Sequence, residues 1–165
     1  MRDPFVERLR HLYETSRAEL FMYALSITRH PQHAEDAVQT AFCAMLRRKR
    51  PPIELRPYVF RCVRNAALDA LKRDGREAES APLFDHGAAP DPSLPSLMED
   101  LLAQLAPDQR ETIVMKTYAG LTLREIAEAR EVSINTAASW YRRGIEGLRE
   151  LMEEVPNGPD RKTAE

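Results

Sequence analysis

Apolar residues recur at three- and four-residue steps along most of the chain, which is the spacing typical of amphipathic α-helices. Proline and glycine residues between the periodic segments provide the helix ends. The pattern predicts helices over residues 3–28, 32–48, 55–76, 97–105, 107–118 and 134–153, with a further short helix that opens at Thr122. All of these predicted elements are helices, so the predicted fold class is all-α.

Residues 77–96 interrupt the helical pattern with four prolines, Gly87 and few apolar residues. Such a composition cannot sustain a helix or bury a core, and it predicts a flexible linker with Leu83 and Phe84 as a docking point. We therefore predict two small helical domains, over residues 1–76 and 97–155, followed by a disordered tail over 156–165. The sequence leaves open whether the second domain folds back onto the first.

The third predicted helix is basic on one face. Its polar stripe consists of Arg61, Arg64, Asn65, Lys72 and Arg76, with Asp69 inside it. The opposite face is apolar, and the cationic run Arg47–Arg50 directly precedes the helix. Together these residues form a positive strip suited to phosphates, with Tyr58 and Phe60 nearby for stacking on bases. A solvated basic surface is the alternative interpretation.

Two helix starts in the second domain lie close together. Thr122 and Glu125 form a T-x-x-E capping box, and Ser133 is a natural N-cap for the last helix. A short turn around Arg130 and Glu131 joins the two helices, an arrangement that predicts a helix-turn-helix rather than an ordinary helical hairpin. In that motif the N-terminal residues of the second helix enter the DNA major groove.

The charge is distributed unevenly along the chain. The net charge is −2 for all 165 residues. Residues 1–80 hold 15 Lys and Arg against 11 Asp and Glu, and residues 97–155 hold 7 against 11. A basic first part and an acidic second part indicate two units with different surfaces.

The two cysteines, Cys43 and Cys62, lie in apolar helical patterns. They are predicted to be small buried residues in a reducing compartment. No apolar run approaches the roughly 20 residues of a membrane span, and the charged N-terminus is unlike a signal peptide. The sequence therefore predicts a cytoplasmic protein.

Several segments together resemble one family. Residues 34–42 (AEDAVQTAF) resemble the AEDxxQxxF segment of extracytoplasmic-function (ECF, group IV) sigma factors. Residues 58–65 and 69–73 are similar to the promoter-melting helix of that family. Residues 105–110 resemble the LPxxxR opening of its region four, and residues 116–127 the entry to its helix-turn-helix. The resemblance lies in the order and spacing of these segments over nearly the whole chain.

For the first domain, sigma region two, the resemblance implies two surfaces. The clamp helices of the RNA polymerase β′ subunit would bind an exposed polar patch of Glu35, Asp36 and Gln39, steered by charge. The loop from Arg47 to Leu55 and the helix after it would hold the non-template strand of the minus-ten element. Candidate base contacts are Tyr58, Phe60 and Asn65, and candidate phosphate contacts are Arg61, Arg64, Lys72 and Arg73.

For the second domain, region four, the resemblance implies binding to the minus-thirty-five element and to the polymerase β flap. Candidate DNA contacts are Arg124, Ser133, Asn135, Thr136, Ser139, Trp140, Arg142 and Arg143. The sequence departs from the family pattern at Ala138 and Trp140, where Lys and Arg are common, and at Arg130, which is usually apolar. Glu131 replaces a usual turn glycine, at a cost of about 1 kcal/mol if that position is left-handed. These departures and the acidic balance weaken the expected minus-thirty-five contact more than the polymerase contact.

Two other functions fit the same pattern. A helix-turn-helix regulator would bind duplex DNA without polymerase, and a sigma-like adaptor would act through protein contacts alone. The sigma hypothesis predicts core RNA polymerase and promoter DNA as partners, with an anti-sigma factor as a further candidate.

An enzyme is not expected, since the sequence has no glycine-rich phosphate loop and no nucleophile–base pairing. The four histidines form no ligand pattern with the cysteines, so neither a metal nor a cofactor is predicted.

Overall fold

A computed structural model describes residues 3–75 and 94–155, and all regular structure in these two ranges is helical. The elements are α1 (Pro4–Thr28), α2 (Pro31–Leu46), α3 (Leu55–Arg73), α4 (Leu94–Ala103), α5 (Pro107–Ile113), a π-helical turn (Val114–Tyr118), α6 (Leu123–Arg130) and α7 (Ile134–Glu154). The all-α prediction is confirmed. The predicted docking point at Leu83 and Phe84, the basic residue Arg76 and the predicted tail lie outside the described residues.

Helices α1, α2 and α3 pack against one another and form the first unit. The Asp3 side chain accepts a hydrogen bond from the Phe5 N–H and caps α1, and Pro4 occupies the first helical turn. The predicted apolar stripe of α2 is buried in full: Ala34, Val38, Ala41, Phe42 and Met45. Burial of such side chains contributes about 1.5–3 kcal/mol for each large one, so the amphipathic pattern accounts for this bundle.

Helices α4 to α7 form the second unit, in which α7 packs against α4, α5 and α6. Both predicted caps are present, since Thr122 and Glu125 form a complete capping box and the Ser133 side chain accepts from the Thr136 N–H. Glycine at position 144 allows α7 to approach α5, because a Cβ atom there would lie 2.6 Å from Ile113 Cδ1. The helix-turn-helix is thus built on local signals that the sequence displays.

Three details differ from the sequence predictions. Helix α4 begins at Leu94, three residues before the predicted start. Helical periodicity over residues 107–118 predicts that Ile113, Val114 and Tyr118 all point inward. Tyr118 is instead 52% exposed, because the π-helical turn inserts an extra residue and changes the register of the side chains. Cys43 is exposed rather than buried, and Cys62 is half-buried, where burial raises the pKa of its thiol.

The two units pack directly against each other. Helix α3 contacts α6, and α1 contacts both α5 and the π-helical turn. Buried residues of the second unit, including Val114, Met115 and Ile126, join the same apolar cluster as the core of the first unit. The question that the sequence leaves open is therefore answered, since the second unit folds back onto the first.

Candidate nucleic-acid interface

The polar patch on α2 is exposed as predicted. Glu35, Asp36 and Gln39 all point to solvent, and Asp36 accepts a hydrogen bond from Gln32 at 3.1 Å. Glu35 and Gln39 also line a groove of about 560 Å³ between α1 and α2, which has Tyr13 and Phe21 among its apolar lining residues. The patch thus combines negative charge with an apolar groove, and both features suit a protein partner.

The cationic loop before α3 lies against Tyr58. The Arg48 guanidinium lies 4.6 Å and the Arg61 guanidinium 5.4 Å from the centre of the Tyr58 ring. Arg48 also donates a hydrogen bond to the Tyr58 hydroxyl. Ile53, in the same loop before α3, is 95% exposed. The half-buried ring is therefore held by two cations at the edge of a positive, partly apolar surface.

Phe60 is not part of that surface. Its side chain is completely buried, and its ring centre lies 5.4 Å from that of Tyr23 in the core between α1 and α3. A base cannot reach this ring without opening the bundle, so the expected contact between Phe60 and DNA does not fit this packing. The helical spacing that placed Phe60 near the basic stripe left its inward direction undecided.

The basic stripe of α3 is divided into two parts. Asn65, Lys72 and Arg73 are exposed to solvent, as a DNA-binding surface requires. Arg61 and Arg64 are instead turned towards the second unit, and each has a side chain only 25% exposed. The structure therefore does not bring all the candidate phosphate contacts to one open face.

Arg64 meets a carboxylate that sequence reasoning missed. Glu111 of α5 is 3% exposed, and its Oε2 atom lies 2.9 Å from Arg64 Nε and 3.3 Å from Arg130 Nη1. The same oxygen accepts a hydrogen bond of 3.0 Å from the Tyr23 hydroxyl. Arg64 of α3 and Tyr23 of α1 thus donate to one buried carboxylate, and the Arg130 guanidinium of α6 lies within ion-pair distance of it. Together these groups compensate for removing its charge from water.

The pKa values reflect this cluster. Burial raises the pKa of the Tyr23 hydroxyl well above its ordinary value, and the adjacent Glu111 carboxylate raises it further. Burial alone would lower the pKa of the Arg64 guanidinium, but attraction to Glu111 and the hydrogen bond to it outweigh burial and raise that pKa. Both groups therefore remain protonated and donate to Glu111.

Two further arginines of α3 reach the second unit. Arg61 lies 3.5 Å from the Glu131 carboxylate and donates to the Glu128 carbonyl, and Arg56 lies 3.9 Å from Glu125 and donates to the Ala119 carbonyl. We call these pairs, together with Arg64 and Glu111, the inter-unit contact. It joins basic residues of the first unit to acidic residues of the second, so it uses the uneven charge distribution along the chain.

The helix-turn-helix presents part of its predicted surface. Five candidate residues are exposed: Arg124, Ser133, Asn135, Arg142 and Arg143. Thr136, Ser139 and Trp140 are half-buried, and the Arg130 guanidinium lies 4.7 Å from the centre of the Trp140 ring. The N-terminal turn of α7 is therefore open to a ligand, whereas Trp140 is partly used in packing.

The two unusual turn residues both make contacts. Arg130 has a side chain only 4% exposed and pairs with Asp108 as well as Glu111. Glu131 adopts the left-handed conformation, with φ 55°, and pairs with Arg61. Two of the four residues that depart from the expected pattern, Arg130 and Glu131, thus build or border the inter-unit contact.

Other kinds of site find no support in the described ranges. There, no group of three His, Cys, Asp or Glu side chains is placed to hold a metal ion. None of the helices described in this structure is both long enough and apolar enough to cross a membrane.

Comparison with known proteins identifies the family. Residues 12–77 match the model of Sigma-70 region 2, and residues 96–148 match that of Sigma-70 region 4. RNA polymerase sigma factor CarQ of Myxococcus xanthus is 32% identical over 93% of this chain and 94% of its own length. The chain belongs to the ECF sigma factors. The ECF sigma factor SigL of Mycobacterium tuberculosis is 28% identical, over 89% of this chain and 90% of its own.

Two solved structures share the fold. The Bartonella quintana sigma factor RpoE, in complex with the anti-sigma factor NepR, has a TM-score of 0.68 and 24% identity, covering 88% of this chain and 96% of its own. CnrH, in complex with the cytosolic domain of CnrY, has a TM-score of 0.67 and 20% identity, covering 88% and 87%. As an ECF sigma factor, the chain acts with core RNA polymerase and promoter DNA in transcription initiation and is not itself an enzyme.

Proposed function

We propose that this sigma factor divides its work among three surfaces of the described structure. The first is the polar patch of Glu35, Asp36 and Gln39, which binds the clamp helices of the polymerase β′ subunit. Its exposure, its charge and the apolar groove beside it support this role. The charged residues of this patch steer association with the partner, and the groove supplies apolar surface that contributes to affinity.

The second surface binds the non-template strand of the minus-ten element. It consists of the cationic loop, Tyr58 and the exposed stripe of Asn65, Lys72 and Arg73, with Arg61 and Arg64 as further phosphate contacts. Opening a promoter requires unstacking of bases at a cost of a few kcal/mol each, so the released strand must be held. An amide and an aromatic ring next to cations can provide base contacts and phosphate contacts together.

The third surface is the N-terminal part of α7 with Arg124, which reads the minus-thirty-five element. Ser133, Asn135, Arg142 and Arg143 are exposed there, with the half-buried Thr136, Ser139 and Trp140 beside them. The acidic residues Glu111, Glu125 and Glu131 pair with α3 instead. The net negative charge of this unit is therefore partly neutralised away from the recognition helix, which removes part of the objection to DNA binding.

We infer two further properties from the family. The chain works in the cytoplasm, where it meets the polymerase. An anti-sigma protein is a candidate regulator, since the sigma factor RpoE of Bartonella quintana, which has the same fold, was solved in complex with the anti-sigma factor NepR. The domain limits 1–76 and 97–155 remain our proposal for the two functional units.

Run-off transcription with core polymerase on a promoter library tests the assignment. Core polymerase should yield promoter-specific transcripts only when the chain is added. A duplex-binding regulator would instead bind an operator without polymerase and would not direct such transcripts. In the variant carrying Glu35→Lys and Asp36→Lys, we expect polymerase affinity to fall at least tenfold, because both reversals oppose a basic partner.

The matched control carries Glu146→Lys and Glu150→Lys, which makes the same change in net charge on the exposed face of α7. It should retain polymerase affinity within about twofold, since distant surface charges contribute little. Equal affinity of both double variants would contradict the proposed clamp surface.

A further inference from the structure

A histidine and a carboxylate join the start of α2 to the end of α3. His33 Nε2, in the first turn of α2, lies 2.8 Å from Asp74 Oδ2, and Asp74 is the C-cap of α3. This distance is typical of a charge-assisted hydrogen bond. The His33 side chain is 22% exposed and that of Asp74 is 40% exposed, so the pair can exchange a proton with solvent.

His33 keeps its contact with Asp74 whether it is neutral or charged. Nε2 carries a hydrogen in both states when it donates to the carboxylate, so this hydrogen bond persists. Protonation adds a hydrogen at Nδ1, an atom that is buried and has no hydrogen-bond partner within the described part of the chain. The His30 ring lies 4.5 Å away, centre to centre, and places a second imidazole beside the first. Protonation of His33 therefore changes the charge of this place without requiring a new geometry.

The carboxylate of this pair borders two exposed cations. Asp74 directly follows Lys72 and Arg73, the phosphate contacts proposed for the last turn of α3. When His33 is neutral, the Asp74 charge is not offset and lowers the attraction of both cations for phosphate. A charged His33 offsets it, and the local net charge rises by one. Since phosphate contacts strengthen with the positive charge of the surface, the proton on His33 favours binding of a strand.

The neighbouring helix ends carry further charged groups. Imidazole is the side-chain type that ordinarily changes charge between pH 5 and 8, so the two histidines are the groups of interest here. Arg17 of α1 reaches this region through its pair with Glu35, at 3.9 Å. The other charged or titratable groups on these helix ends are Arg29 and His30 between α1 and α2, Asp36 on α2, and Asp69, Lys72 and Arg73 on α3.

We propose that the proton on His33 regulates the contact of α3 with single-stranded DNA, with Asp74 as the group through which it acts. The full chain therefore binds a strand more tightly in weakly acidic solution than at pH 8. His33 modulates the contact of Lys72 and Arg73 without touching the strand itself. This inference rests on the proposed minus-ten surface, and on its exposed last turn in particular.

Binding of a fluorescent dT₁₂ oligonucleotide to the full chain at pH 6 and pH 8 tests the role of His33. Salt is kept at about 50 mM, because screening is weaker there. The parent should bind about threefold more tightly at pH 6, since one added charge strengthens the phosphate contacts. His33→Gln retains a donor for Asp74 but gains no proton, so it should lose most of this difference. Equal affinities of the parent at the two pH values would overturn the proposal.

The two other described histidines provide matched controls. His11 is exposed on α1 and lines a pocket with Glu54 and Leu55, at the opposite end of α3. His11→Gln and His30→Gln should both keep the threefold difference, because neither removes the group that contacts Asp74. Loss of the difference in either control, together with its retention in His33→Gln, would contradict the assignment to His33.

Asp74→Asn tests the carboxylate directly. At pH 8 it should bind dT₁₂ about threefold more tightly than the parent, because the charge that opposes phosphate is gone. Glu150→Gln removes an equal charge from an exposed position of α7 and should bind within about 1.5-fold of the parent. Circular dichroism at both pH values shows whether each variant retains its helices. Unchanged affinity of a folded Asp74→Asn variant would exclude Asp74 as the connecting group.

The double variant Lys72→Met with Arg73→Met separates this inference from the proposed function. It should weaken dT₁₂ binding at both pH values, since it removes two phosphate contacts. Parent-like binding by this double variant would contradict the proposed minus-ten surface at the last turn of α3. Weaker binding, combined with a parent-like pH dependence in His33→Gln, would leave that surface in place and reject the role of His33 alone.

Discussion

Helix α3 carries two sets of cations in contrasting surroundings. Arg61 and Arg64, in its middle, pair with carboxylates of the second unit. Lys72 and Arg73, in its last turn, are exposed and lie where the helix dipole favours positive charge. The same residue chemistry on one helix thus serves an internal contact in one place and an open surface in the other.

This contrast shows that the number of cations does not measure the surface available to DNA. An exposed lysine exchanges only water and small ions when a phosphate arrives, whereas Arg64 must first leave a buried carboxylate. We therefore expect the last turn of α3 to meet DNA before the middle of the helix does.

The largest expected difference between the two sets is in stability. Arg64→Met should lower the free energy of unfolding by about 2 kcal/mol, because it leaves the Glu111 carboxylate buried with one cation fewer. The value lies below the range for fully buried pairs, since Arg64 is one-quarter exposed and Arg130 still contacts Glu111. Urea unfolding followed by circular dichroism measures the change.

Lys72→Met is the matched control on the same helix. Its side chain is exposed, so its replacement should alter stability by less than about 0.5 kcal/mol. Equal losses of stability from both substitutions would contradict the distinction between the paired cations and the exposed cations of α3.

Much of the fold could be predicted because its signals are local. The Thr122–Glu125 capping box and the Ser133 cap each depend on residues three positions apart, and both appear in the structure as expected. Periodicity failed where the backbone departs from 3.6 residues per turn. The π-helical turn exposes Tyr118, and no residue pattern around it announces the extra residue.

The site was predictable only in part, because its decisive contact is not local. Glu111 and Arg64 are 47 positions apart and lie in different units. The sequence showed that the first unit is basic and the second acidic, but not which residues would pair. Helical periodicity likewise placed Phe60 near the basic stripe, whereas only the packing against Tyr23 shows that it is buried.

An intermediate effect is expected at the hydroxyl that shares Glu111 with Arg64. Tyr23→Phe should cost about 1.5 kcal/mol at neutral pH, since it removes a buried hydrogen bond to a charged group. It should also change the response to alkali. The pKa of Tyr23 is raised in the folded chain above the unfolded value of about 10, so the folded form keeps a proton that the unfolded form loses. Stability therefore falls as pH rises above about 10.

Urea unfolding at pH 9 and pH 11 isolates this contribution. The parent should lose about 1 kcal/mol more than Tyr23→Phe over this interval, because the variant lacks the titrating group. Tyr118→Phe is the matched control, since Tyr118 is 52% exposed. This control should lose as much stability as the parent between the two pH values. A smaller loss in the control would contradict the attribution of the alkaline loss of stability to Tyr23.

The smallest effect concerns the exposed edge of the inter-unit contact. There Glu131 pairs with Arg61 from a left-handed backbone position, φ 55°. Glu131→Gly should stabilise the chain by about 0.5–1 kcal/mol, because glycine removes the steric cost of this conformation and an exposed ion pair contributes less than that cost. Glu128→Gly, three residues earlier in the interior of α6, should instead destabilise it by about 1 kcal/mol. Thermal unfolding distinguishes the two signs. Destabilisation by Glu131→Gly would mean that the pair with Arg61 outweighs backbone strain, and that the inter-unit contact depends on more than Glu111.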